Sequence, residues 1–297
     1  MSDFVQQQNS ICDFNSSDSW VMLTPIEQSI KRKIEAVGTP LKDWDIQINY
    51  GIKTGFNDAF IISTEKRDEI LANCRDVEER KKTEELIRPI LRGRDIKRYG
   101  YVDNGLYLIN THNGVLGRIP RIKIEDYPAV KAHLDQYWDK IVTRADKGDT
   151  PYNLRNCAYL EDFNKPKIIW KRIGSILRFS FDNKGCLGLD STCFAAGEHI
   201  GYLCCVLNSL MGHYLLKDSP KTGTGDLLVS VQAIEPARIP YNAQYDRQLS
   251  SLLGIQIANP SNATEKEIND IVFTMYDLSP NEREYVTQYV KLSQQSL

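Results

Sequence analysis

Two spacings of apolar residues run through this chain, and they divide it into strands and helices. Ile46 and Ile48 alternate with polar neighbours, and Phe60-Ile61-Ile62 is a short β-rich run. Between them lies Gly51-Ile52-Lys53-Thr54-Gly55-Phe56-Asn57-Asp58, so the stretch reads as strand, tight turn, strand. Further strands are expected at Tyr107 to Asn110, Lys167 to Trp170, Arg178 to Phe181, around Leu187 and Leu189, at Cys193-Phe194, and at Leu227 to Val231. Helical spacing marks other segments. Thr24-Pro25 with Glu27 is a capped start to a helix that runs to about Val37 and stops at Gly38. Arg67 to Ile87 is charged and mostly helical, with Pro89 ending it. Ala129 to Thr143 places Val130, Leu134, Tyr137, Trp138 and Ile141 on one side, and Trp138 and Trp170 read as core. Ile200 to Leu216 is the most apolar helix and should be buried, with Asn208 a buried hydrogen-bonding residue. Tyr245 to Ile257, Glu265 to Tyr276 and Glu282 to Leu292 complete a helical C-terminus, the last started by Ser279-Pro280.

These elements predict an α+β fold: a mixed, twisted sheet that carries polar loops, followed by a helical supporting part. Residues 1–19 are polar and read as a flexible arm, 20–240 as the α+β domain, and 241–297 as the helical part. The 297 residues suffice for that plan. No apolar run is long enough for a membrane span, and no secretion signal is visible at Met1 to Ser19. The cysteines (12, 74, 157, 186, 193, 204, 205) are odd in number, scattered and never spaced as C-x-x-C. That argues for reduced thiols and a cytoplasmic location, not a disulfide framework or a zinc site.

Charge changes the picture more than composition does. The net charge is only −2, yet Arg88 to Tyr101 holds five basic residues and one acid, and Lys165 to Arg178 five basic residues and none. Acids collect elsewhere, six against two bases over Glu265 to Glu284. Such segregation suggests a basic face. The Gly-bounded turn with Lys53, Thr54 and Asn57 offers a cation, a hydroxyl and an amide to phosphate oxygens. An ordinary hairpin loop would use the same residues. It is not a Walker loop, because Lys-Thr precedes the second glycine, and the dinucleotide spacing is absent. Arg92, Arg94, Lys97 and Arg98, the post-strand pair Lys171 and Arg172, and the glycine-flanked Lys221, Thr222 and Thr224 are the other candidates for phosphate or base contacts. Each group could equally be solvated surface.

The blocks GIKTGFNDAFII, IRPILRGRDIKRYG, YPAVKAHLDQYWDKIVTRADKG, NKPKIIW, Leu207-Asn208-Ser209, RIPY and IVFTMYDLSPNEREYV follow Trp20 in that order. From about Trp20 to about Val290 this order resembles the C-terminal target-recognition (specificity) region of type IIG restriction–modification enzymes and of Taq I-like and Eco57I-like adenine-N6 DNA methyltransferases. The resemblance implies a DNA-facing sheet subdomain that reads double-stranded DNA. It also implies, as partners, a separate methyltransferase domain or subunit that uses S-adenosylmethionine and flips the target adenine, and in some members a Mg2+-dependent nuclease. Neither catalytic signature is present: Asn259-Pro260 is followed by Ser261, and no Gly-rich S-adenosylmethionine loop follows a strand. Asp95-Ile96-Lys97 and Asp182-Asn183-Lys184 match half of a nuclease motif, but the chain has no Pro-Asp dipeptide. The expectation is a DNA-recognition module without catalysis or cofactor of its own. The alternatives are a diverged metal-dependent nuclease using Asp95 or Asp182, and a protein–protein module docking through the acidic C-terminal helices.

Overall fold

The computed structural model describes residues 23–295; the arm expected over 1–19 and Trp20 lie outside the described residues. The architecture is α+β. In place of a single mixed sheet the described residues form two four-stranded sheets and two short ribbons. The first sheet is antiparallel, in the spatial order Ile46–Tyr50, Thr192–Gly197, Lys167–Lys171, Phe179–Asp182. The second sheet has the order Ile61–Ser63, Leu106–Ile109, Ile87–Leu91, Leu187–Gly188, and only its last pairing is parallel.

The period of two in the first sheet explains why it sits between two cores. Ile168, Trp170, Cys193 and Ala195 face one side, against the buried helix Ile200–Asn208 and the C-terminal helices. Ile169, Phe194 and Ala196 face the other, against the second sheet and the helices Thr64–Ala72 and Pro128–Asp135. Both faces are covered, so the strands Lys167–Lys171 and Thr192–Gly197 are nearly continuous in burial. The first core draws on Ile30 near the beginning of the described chain and Val286 near its end.

Several expected elements appear with their expected caps. Pro25–Val37 starts on a capping box between Thr24 and Glu27 and ends at Gly38. Asn208 is fully buried; its amide donates to the carbonyls of Phe179 and Cys204, and its oxygen accepts the Phe179 N–H. Four expectations are corrected. The Gly51–Asp58 stretch is not a hairpin: Ile46–Tyr50 and Ile61–Ser63 belong to different sheets, and the short helix Asn57–Phe60 lies between them. The expected helix over 67–87 is two helices, Thr64–Ala72 and Val77–Leu86, because Asp76 caps the second through the Glu79 N–H. Ile87–Leu91 then continues as a central strand. Its Pro89 stands where pairing passes from Leu106–Ile109 to Leu187–Gly188, a position that tolerates a missing N–H. Trp138 is not core but 41% exposed, its ring tilted against Tyr152 at 5.5 Å, because the helix breaks after Asp135 and Trp138 opens a separate short turn. Among the described residues no helix is long and apolar enough to cross a membrane.

Candidate nucleic-acid interface

The end of the strand Lys167–Lys171 is where loops far apart in sequence meet. On one side, Gly51 leaves the first sheet so close to the next segment that a Cβ there would lie 2.0 Å from the Leu189 carbonyl oxygen. Its neighbour Ile52 donates to Gly188 O and forms a bridge with Leu189, which fixes the start of the Lys53 loop. On the other side, Gly93 lies under the Lys171 side chain; a Cβ at Gly93 would be 2.9 Å from Lys171 Cγ. The Gly93 N–H also donates to Ser191 Oγ. Beyond the strand, Arg172 N–H donates to Ser191 O, and its carbonyl accepts from Val229 N–H. The ribbon Ile173–Gly174 with Leu227–Leu228 carries the 220–226 loop on the same side.

A cleft of about 640 Å³ opens among these loops, with Lys53, Arg155 and Arg172 in its wall beside Asp190 and Tyr159. Lys53 is half exposed and pairs with Asp146 at 2.9 Å; Arg155 reaches the same carboxylate at 3.4 Å. The Lys53 hydrogen bond holds the Asp146 carboxyl below its ordinary range. Arg172 is partly buried, and its Nε is buried with no hydrogen-bond partner among the described residues.

The individual candidates separate clearly. Arg94, Lys171 and Lys221 are exposed, and none of the three forms an ion pair among the described residues. Lys97 is exposed and donates weakly to Arg94 O at 3.4 Å. Asn57 is exposed, but its side-chain oxygen accepts from Thr54 Oγ1 at 2.6 Å. Thr54 itself is 1% exposed: its hydroxyl shapes the turn, accepting also from Phe56 N–H, and is not presented to the surface. Arg92 is turned inward, its guanidinium gripping Asp95 through two bonds of 3.0 Å. Arg98 leaves the cluster: it binds Asn208 O and Glu265 and lies 5.4 Å over Tyr99, tying the basic turn to the helix Asn262–Met275. Thr222 and Thr224 bond to each other at 2.8 Å, and Thr224 donates to Asp226, so their loop closes on itself.

The sequence reading missed Arg144. It is 6% exposed and lies 4.4 Å over the Phe60 ring. Its guanidinium donates to the carbonyls of Thr54, Asp146, Pro151 and Asn153, and so staples the Lys53 loop to the 146–153 loop. Burial pushes its pKa down to about 10, so it remains charged at neutral pH. The one available signal was its place beside polar, turn-forming residues, and an exposed arginine would look the same.

The half-motifs of a nuclease do not fit a metal. Asp95 is buried and accepts from Arg92 and Asn104. Asp182 is buried and accepts from Lys167, Tyr101 and the N–H groups of Lys184 and Cys186. With their oxygens occupied from inside the protein, neither offers a free face to a cation. Among the described residues no three His, Cys, Asp or Glu side chains form a group that could hold a metal.

No family model and no curated protein matches this sequence. Its shape is more informative. The chain is similar in fold to the type IIL restriction–modification enzyme MmeI, solved in complex with DNA. The TM-score is 0.60 at 11% identity, over 88% of this chain and 37% of MmeI. A second solved structure, the type IIG restriction endonuclease BpuSI, aligns at a TM-score of 0.48 and 12% identity, over 92% of this chain and 33% of that one. The chain therefore spans little more than a third of the length of the enzymes it is similar to.

Proposed function

We propose that this chain is a sequence-specific recognition module for double-stranded DNA, of the kind that belongs to a type II restriction–modification enzyme. Its task is to place an adenine methyltransferase part, and a nuclease part, on their target site. The observation that carries this reading is the convergence at one strand end of four parts of the chain, which carry Lys53, Arg94, Lys171 with Arg172, and Lys221. The fold likeness to an enzyme solved on DNA supports it. Loops on a rigid sheet can enter a groove, while cations at their bases hold phosphates. S-adenosylmethionine and Mg2+ belong, on this reading, to the other parts of the enzyme.

In this division of labour Lys171 and Arg94 hold the backbone, and Arg172 with Asn57 stands where base edges would pass. Thr54, Arg92, Arg98, Thr222 and Thr224 support the loops from within. The test is fluorescence anisotropy of the 297-residue chain against a randomised duplex pool, with selection. Enrichment of one short asymmetric sequence is expected. If about five phosphates are neutralised, the slope of log affinity against log salt should be about −4 to −5. Binding without enrichment would leave a non-specific DNA-binding module. No binding at low salt, alone or with a methyltransferase partner, would overturn the reading.

A further inference from the structure

The cleft beneath Lys53 continues into a second groove of about 690 Å³, and Asn156, Cys157 and Ala158 line both. Beside the second groove stands a small hairpin in which Val115 and Ile119 exchange both backbone hydrogen bonds at 2.9 Å. Its tip is a turn closed by Arg118 N–H on Val115 O, with Gly117 at φ +75°, the pattern of a type II turn with glycine in its third position. Leu116 occupies the second position and is completely exposed. The base of the hairpin is pinned. Asn113 bonds to Asp149 and Asn156, Arg121 pairs with Asp149 at 2.8 Å, and Arg118 reaches Glu161 and Ala158 O, each at 3.0 Å.

A lone exposed leucine is ordinary on a protein surface. This one differs in its placement. It is held on a braced tip, with Arg118 and Arg121 beside it, on the groove that runs into the Lys53, Arg155 and Arg172 cleft. Apolar side chains presented this way between cations can enter the minor groove and part a base step, and the bend gained brings more DNA against the protein. Building on the reading of the cleft as a DNA surface, we propose that Leu116 is a wedge that enters the base stack of bound double-stranded DNA. It contributes selectivity through the ease with which a step unstacks, not through hydrogen bonds to base edges.

The test compares an intact 30-base-pair duplex with the same duplex carrying one mismatched pair, whose stack is already weakened. The mismatch is walked along the sequence, and wild type, Leu116→Ala and Leu116→Phe are measured by anisotropy. Wild type and Leu116→Phe are expected to favour one mismatch position about tenfold over the intact duplex. Leu116→Ala should lose that preference while keeping the same salt slope. The side chain touches solvent only, so folding should be unaffected, and unfolding curves check this. Binding with no preferred mismatch, or a preference that survives in Leu116→Ala, overturns the wedge and leaves the recognition reading standing. Failure of every variant to bind either duplex removes both.

Discussion

Lys167 and Lys171 stand on the same side of one strand, four residues apart, and meet opposite fates. Lys167 is fully buried, between the Phe163 carbonyl and the Asp182 carboxylate. Lys171 lies on Gly93 with its ammonium in solvent. The strand therefore joins two regions with different uses for charge. Inside, between the two sheets, charge fixes the register: Asp182 also binds Tyr101 and the Cys186 N–H, linking the first sheet to the turn that enters the strand Leu187–Gly188. At the open end, charge is available to a partner. A basic run read along the sequence contains both kinds, and so overstates the available surface.

The sharpest way to break this comparison is to neutralise the inner pair. Asp182→Asn leaves the Lys167 ammonium buried without its counter-ion, and should cost about 3–5 kcal/mol in denaturant unfolding. Replacing both residues by apolar ones of similar size should recover much of that loss. A neutral Asp182→Asn would show that the pair does not organise the interior, and the contrast with Lys171 would fail.

The next effect concerns the loop that the inner region holds in place. Arg144→Ala strands the carbonyls of Thr54 and Pro151, while Asn153 O keeps the Gly148 N–H, and should cost about 3 kcal/mol, since each orphaned buried acceptor is worth about 1–3. Hydrogen exchange should rise at residues 52–57, and DNA affinity should fall although Arg144 touches no DNA. Arg155→Ala, an exposed arginine on the same loop, should change stability by less than about 0.5 kcal/mol. Equal effects from the two would mean that the staple does not act as described.

How much of this was legible depended on the kind of signal. The apolar segment expected as one helix over Ile200 to Leu216, which the structure divides at Ser209 into Ile200–Asn208 and Leu210–Leu215, its buried Asn208 and the capping box at Thr24 rest on periodicity and local chemistry, which a sequence displays directly. The two-sheet arrangement does not, because the strand pairing Ile90 with Leu187 and the departure at Gly51 depend on contacts with distant backbone. The same holds for Arg98 and Arg144. Nothing local distinguishes an arginine bound to Glu265 or to four carbonyls from one in solvent. Asp76 was a legible cap that the charged stretch around it obscured. Trp138 shows the converse: helical spacing suggested a core position, and a two-residue break in the helix undid it.

The helical region offers a pH-dependent test of the same contrast. Burial pushes the Glu282 carboxyl up, but hydrogen bonds from Lys33, from the Ser279 N–H and from Ser29 outweigh it and bring the pKa down to about 2. The folded state thus holds the ionised form more tightly than the unfolded state does. The stability it contributes is complete above about pH 4.5 and is lost as pH falls from there towards 2, on the order of 2–3 kcal/mol. Glu282→Gln should lower the unfolding midpoint at pH 6, and the gap from wild type should narrow as pH falls below about 4.5 and close only below about pH 2. A constant gap would mean that packing, not charge, ties the last helix to Pro25–Val37.

The smallest effect on stability belongs to the open end of the strand. Arg94→Ala and Lys171→Ala remove exposed cations and should change unfolding free energy by less than about 0.5 kcal/mol each. Their effect should appear in binding alone. If they hold phosphates, each should weaken all duplexes about equally and make the salt slope shallower by about one. If either reads a base, affinity for the selected sequence should fall while affinity for unrelated duplexes stays the same. Lys171 shields Gly93 with its aliphatic stem, so Lys171→Met separates the two contributions: it keeps the packing and removes only the charge. A Lys171→Met chain that binds like wild type would place Lys171 with Lys167 as a structural residue, and the available surface would contract to Lys53, Arg94, Arg172 and Lys221.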